Sequence, residues 1–112
     1  MVTNDTLTFE MLQDLAIKIM PEGSKVWLYG SHARGDFNEF SDWDLLILLN
    51  KYKIRRSDFD DYGYPFVELG FRNSADVSPQ LYSFAEWQKL ENLQTPYYTN
   101  IQTDKKVIYG TK

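Results

Sequence analysis

The sequence contains no cysteine and a single histidine. The first absence excludes a disulfide framework, a thiolate nucleophile and any zinc site built on sulfur. The second excludes a cluster of histidine ligands, so a metal bound by this chain must be held by oxygen. Long apolar runs are also lacking. The longest unbroken one is Leu45 to Leu49, against the roughly 20 residues needed to cross a bilayer. Met1-Val2-Thr3-Asn4-Asp5 shows no basic region leading into an apolar one, so the expectation is a protein that stays in the cytoplasm, where it is made. Positive charge is in short supply: 12 Lys and Arg stand against 16 Asp and Glu, for a formal net charge of −4. The first fifty residues hold three basic and eight acidic side chains. A chain so charged does not grip duplex DNA or long RNA by itself, but it is compatible with a small phosphate ligand whose charge a metal neutralises.

What is present is a globular composition, 43% hydrophobic and 16% aromatic over 112 residues, the size of one ordinary domain. No internal repeat, low-complexity run or Gly/Ser linker interrupts it, so residues 1–112 are read as a single domain with its compact part from about 6 to 110. Leu12, Leu15, Ala16 and Ile19 fall at helical spacing until Pro21-Glu22-Gly23-Ser24 breaks the pattern. Lys25 to Tyr29 reads as a strand. Trp43 to Leu49 reads as a second strand, apolar enough to be covered on both faces.

Ser57 to Leu69 has helical character that Gly63 and Pro65 must kink or divide. Ala75 to Tyr82 reads as a third strand, and Ser78-Pro79 places it at a sheet edge or a bulge. Ser83-Phe84-Ala85-Glu86 has the spacing of a capping box, so a helix should begin at Phe84 and bury Trp87 and Leu90. Thr95-Pro96 announces another helix, and Val107 to Tyr109 a short last strand. The sum is a small α+β domain: a mixed, twisted sheet of about four strands, helices mainly on one face and the functional residues on the other.

Chemistry concentrates in Leu28-Tyr29-Gly30-Ser31-His32-Ala33-Arg34-Gly35-Asp36 and in Ser41-Asp42-Trp43-Asp44-Leu45. A glycine and a serine directly after a strand offer backbone N–H groups, a hydroxyl and no side chain to block approach, a combination that binds phosphate oxygens. Arg34 can add a fixed positive charge. Asp42 and Asp44, one residue apart, point to the same side of a strand about 7 Å apart. Two such carboxylates repel, and a divalent cation relieves the repulsion. Taken singly, a Gly-Ser turn is usually just a turn and an Asp-x-Asp pair usually just solvated. Their conjunction, a cradle ending one strand and an acid pair opening the next with ten residues between Ser31 and Asp42, is far less common.

These residues resemble the minimal nucleotidyltransferases of the DNA polymerase beta superfamily, whose pattern is hydrophobic-Gly-Ser, about ten residues, then Asp-hydrophobic-Asp-hydrophobic. Tyr29-Gly30-Ser31 and Asp42-Trp43-Asp44-Leu45 match it position for position, and the wider form, Gly30 to Gly35 with Ser41 to Leu45, is similar to small stand-alone prokaryotic members, many of them paired with a HEPN-type toxin. The resemblance is carried by residues 26–49. It implies the polymerase beta-like nucleotidyltransferase fold, with Gly30, Ser31 and Arg34 at the nucleotide and Asp42 and Asp44 holding Mg²⁺ or Mn²⁺. It also implies a third carboxylate among the metal ligands and catalytic acids, with Asp76 the first choice and Glu68 the second. The implied activity is transfer of a nucleoside monophosphate, AMP from ATP, to a hydroxyl acceptor, which could lie on a partner protein such as a HEPN-type toxin. The competing expectation is an antitoxin-like binding module or a nucleotide sensor with little or no catalysis. Other residues are assigned no chemistry at this stage: His32 reads as a solvent-facing turn residue, Lys51, Lys53, Arg55 and Arg56 as a solvated loop, and Tyr97 and Tyr98 as packing.

Overall fold

The computed structural model of the chain describes residues 6–111. Its elements follow in the order α1 (Phe9–Ile19), β1 (Lys25–Tyr29), α2 (Ser31–Arg34), β2 (Trp43–Leu49), α3 (Arg56–Asp58), a π-helical stretch (Phe59–Gly63), α4 (Tyr64–Arg72), β3 (Val77–Ser83), α5 (Phe84–Leu93), α6 (Pro96–Asp104) and β4 (Lys106–Tyr109). The strands form one mixed sheet in the order β3-β2-β1-β4. Strand β1 is antiparallel to both β2 and β4, and β2 runs parallel to β3. Because β3 lies at the edge, Pro79 is tolerated in it: its missing N–H costs no ladder bond on the outer side.

Strand alternation divides the core in two. Val26, Leu28, Leu45, Ile47 and Leu49 project to one face, where they meet Leu12 and Ala16 of α1, Ala33 of α2 and Phe66 of α4. Trp27, Leu46 and Leu48 project to the other and meet Trp87 of α5 and Ile101 of α6. Helices therefore cover parts of both faces rather than mainly one. The reason is β2, whose run of Leu and Ile leaves neither side polar and so demands a lid on each. The α5–α6 lid rests on Leu46 and Leu48, toward the end of β2. Asp42, just ahead of the strand, is exposed, and Asp44 is half-buried.

Capping fixes the helix starts. Thr8, Ser83 and Thr95 each accept a hydrogen bond from the backbone N–H three residues on, and Glu86 answers Ser83 to complete the capping box. The region around Gly63 and Pro65 stays helical by widening. Pro65 cannot donate to the carbonyl four residues back, and the π-helical turn before it absorbs that loss. Gly63 has to be small, because a Cβ there would lie 2.8 Å from the Phe59 ring and 3.1 Å from Leu81.

Asp58 anchors the start of this helical run and is buried, with 5% of its surface exposed. It accepts the Arg55 N–H at 2.7 Å and takes Lys51 Nζ on both carboxylate oxygens, at 3.0 and 2.9 Å. Burial works to raise its pKa, but these hydrogen bonds and the lysine charge outweigh burial and hold it below the usual carboxylate value. Its stabilising contribution is therefore complete above the ordinary Asp range and is lost as pH falls through the lowered value. Asp58→Ala is expected to cost roughly 2 kcal/mol at pH 7. In thermal melts the gap from the parent protein should narrow in strong acid; a gap unchanged at pH 2 would show that the ionised carboxylate is not what stabilises the fold.

Candidate functional site

Strand β1 ends at Tyr29, and the chain turns at Gly30, whose φ of 78° lies in the region glycine alone enters without strain. Ser31 then opens α2, where the Ala33 and Arg34 N–H groups both donate to the Gly30 carbonyl, at 3.1 and 3.0 Å, which leaves those of Ser31 and His32 without a partner in the helix. Gly30 is also in contact with the acid pair: a Cβ built on it would collide with Asp44 Oδ2 and stand 3.3 Å from Asp44 Cγ. The antiparallel register explains this, since Tyr29 pairs directly with Asp44. The structure thus brings together Gly30, Ser31 and Asp44, with Asp42 one strand repeat away on the same side.

The pair is electrostatically uncomfortable. The Asp44 carboxyl is pushed above its ordinary value, first by burial and then by the charge of Asp42, with His32 and Arg34 pulling the other way. Two oxygen ligands in this state suit a divalent cation, which removes the repulsion at its source.

The expected third ligand does not join them. Among the described residues no three His, Cys, Asp or Glu side chains are close enough together to hold a metal ion. The parallel register is responsible. Asp44 pairs with Ser78, so the β3 residue beside the acids is a serine, and its hydroxyl donates to Asp42 at 3.3 Å. Asp76 lies just ahead of β3, where its carbonyl accepts the Trp43 N–H at 2.9 Å. It lines a cavity of about 820 Å³ together with Trp43, Phe37, Phe40 and Phe71. Glu68 is on α4, ion-paired to Arg72 at 3.2 Å. Arg34 is also engaged, with Asp36 at 3.2 Å and Asp104 at 3.0 Å, which take two of its five N–H donors.

Several neighbours of the site gave no local signal. The Tyr29 hydroxyl lies 3.2 Å from that of Tyr97 on α6. Burial raises the pKa of both phenols, and the Asp44 charge adds to it, so both stay protonated, one donating to the other. Tyr97 is thus more than packing, though 68 residues separate the partners. His32, read from sequence as solvent-facing, is partly buried and sandwiched between two rings: Phe37 at 4.3 Å and Trp43 at 4.0 Å between centroids, each tilted by 17°. The basic run after β2 is mostly exposed, apart from the tie between Lys51 and Asp58.

The sequence model of the nucleotidyltransferase domain family matches residues 13–109. No curated protein sequence matches the chain. Among solved structures, a chain from a toxin–antitoxin complex with AMP-PNP superposes with a TM-score of 0.62 at 18% identity, over 95% of this chain and 76% of that one. A chain from a mutant toxin–antitoxin complex, MntA–HpeT, gives 0.61 at 16% identity, with coverage of 95% and 76%. A complex of tri-AMPylated Shewanella oneidensis HEPN toxin with MNT antitoxin gives 0.49 at 15%, with coverage of 93% and 74%. Among the described residues no helix is long and apolar enough to cross a membrane.

Proposed function

The chain belongs to the nucleotidyltransferase domain family, and from that premise we propose that it transfers AMP from ATP to a hydroxyl acceptor on a partner protein such as a HEPN-type toxin. The observation that carries this reading is the close approach of Gly30 and the Asp44 carboxylate, which supports treating the proposed phosphate cradle and acid pair as one site.

In this reading Ser31 and the backbone at the start of α2 hold the terminal phosphates, and Asp42 and Asp44 hold Mg²⁺ or Mn²⁺. A divalent cation held there would supply positive charge to neutralise the triphosphate and stabilise the pyrophosphate leaving group. Tyr29 and Tyr97 keep the inner wall of the site protonated, so no further negative charge opposes the nucleotide. Asp76, at the same end of the sheet as Asp42, is the acid we assign to take the proton from the acceptor hydroxyl; Glu68, on another element and already paired, is the weaker choice. Arg34 meets a phosphate with the donors that Asp36 and Asp104 leave over. The fold likeness to a chain crystallised in a complex with AMP-PNP supports the choice of nucleotide.

The serine at position 78 favours a second reading, in which the site binds nucleotide and partner without turnover. One experiment separates the two. Calorimetry with ATP should show binding in Mg²⁺ that weakens by at least about tenfold in EDTA, because the bare acids repel the triphosphate. Labelled ATP added with a HEPN-type partner should then release pyrophosphate and label the partner. Metal-dependent binding without labelling selects the second reading, and equal affinity in Mg²⁺ and EDTA removes both.

A further inference from the structure

We propose that His32 is a positioning residue that pins Asp42, one of the two acids assigned to the metal, to the phosphate cradle; this rests on the nucleotide reading of the site given above.

His32 belongs to α2, immediately after Ser31. The link from α2 to β2 leaves at Gly35 and returns at Trp43, with no helix or strand between. His32 holds that link at both ends. Its ring stacks on Phe37 near the start and on Trp43 at the finish. Its Nε2 lies 3.2 Å from the Ser41 carbonyl, an acceptor, which assigns the ring proton to that nitrogen. Asp42 therefore sits between two residues, Ser41 and Trp43, that both touch the same side chain. That side chain grows from the helix that begins at the cradle. Phe37, 52% exposed, lays its ring on the imidazole and so ties the start of the link to α2.

An exposed acid ahead of its strand needs such a pin if its carboxylate is to meet a metal in one fixed pose. When only a fraction of the molecules holds the competent pose, apparent affinity falls by that fraction. Loss of the pin therefore weakens only the part of nucleotide binding that passes through the metal. The part carried by Gly30 and Ser31 is untouched.

Calorimetry of ATP in Mg²⁺ and in EDTA tests this on the parent protein and on His32→Ala, His32→Gln and His32→Phe. The expected result for His32→Ala is a loss of about tenfold in Mg²⁺ with affinity in EDTA unchanged. His32→Gln, which retains a donor and loses the stack, should behave like alanine. His32→Phe, which retains the stack, should restore binding to within about threefold. An unchanged affinity of His32→Ala in Mg²⁺ overturns the proposal, and so does an equal loss in Mg²⁺ and EDTA, which would make the role merely structural.

If the parent protein itself gains nothing from Mg²⁺, the metal reading falls, and amide hydrogen exchange decides the pin separately. Faster exchange confined to residues 36–42 in His32→Ala and absent in His32→Phe supports it. Exchange unchanged in both overturns it.

Discussion

Asp44→Asn is expected to raise the melting temperature of the protein without nucleotide at pH 7, and at the same time to lower its affinity for ATP in Mg²⁺ by at least about a hundredfold. Both effects have one source. Burial, and then the Asp42 charge, push the Asp44 carboxyl above its ordinary value. Its ionised form is thus less favourable in the fold than in the unfolded chain. A group with a raised folded pKa favours the fold most below its unfolded value, and that advantage drains away as pH rises through the folded one. At neutral pH the parent protein bears the full cost, and asparagine, of the same size and uncharged, removes it. The same substitution also removes the negative charge of one of the two carboxylates proposed to hold the cation. Melts in EDTA at pH 7 and near pH 3 check the first effect: the gain should be present at pH 7 and vanish in acid. A lower melting temperature for Asp44→Asn at pH 7 would mean the carboxylate is stabilising, and the account of a repelled pair awaiting a cation would fail.

The parts of the site that were legible in the sequence are those fixed by local rules. A glycine that ends a strand, a serine that starts a helix and aspartates two apart need only strand period and turn chemistry to be placed. The pairing of Tyr29 with Asp44, which brings these pieces together, is a matter of tertiary register, because α2 and the long link after it separate β1 from β2. The third acid depends on something non-local. Whether Asp76 or Ser78 sits beside Asp44 is decided by the parallel register of β2 and β3, which are separated by α3, α4 and the π-helical turn. A shift of two residues in that register would exchange them without changing any hydrophobic pattern. Tyr97 and His32 escaped for a related reason. Their partners are rings brought in by the tertiary fold, and a tyrosine or histidine in isolation reads as packing or solvent.

The fold shows the same division. Ser83 with Glu86 and Thr95 with Pro96 state their helix starts outright, and α5 and α6 begin where those signals lie. The chain from Ser57 to Leu69 was ambiguous because Pro65 and Gly63 ordinarily end helices. Here one widened turn accommodates the proline, and the glycine lets Phe59 and Leu81 close in. The second helical layer over Trp27, Leu46 and Leu48 was implied by the apolarity of β2, but only Trp87 and Ile101 in place show which helices supply it.

Gly30→Ala should harm nucleotide binding more than Ser31→Ala does, although it adds one methyl group and removes nothing. Ser31→Ala deletes a hydroxyl that can donate to a charged phosphate, a loss of about 1.5–3 kcal/mol, or roughly ten- to a hundredfold in affinity. Gly30→Ala acts twice. At φ 78° and ψ −159° the backbone is in a region essentially confined to glycine, where an L-residue is strained by roughly 1–3 kcal/mol. Its Cβ would also collide with Asp44 Oδ2, with Cγ at 3.3 Å and Cβ at 3.5 Å behind it. The carboxylate is the only mobile party to that collision, so it must rotate away from the position in which it serves the cation. Affinity for ATP in Mg²⁺ should fall by more than about a hundredfold, with circular dichroism that still reports a folded chain. The collision is separable from the strain by a double-mutant cycle on stability. In an Asp44→Ala background the methyl group meets no carboxylate, so Gly30→Ala should cost clearly less there than in the parent protein. An equal cost in both backgrounds would assign the whole effect to the backbone angle, and would mean that the cradle and the acid pair are not in the contact on which the proposed chemistry depends.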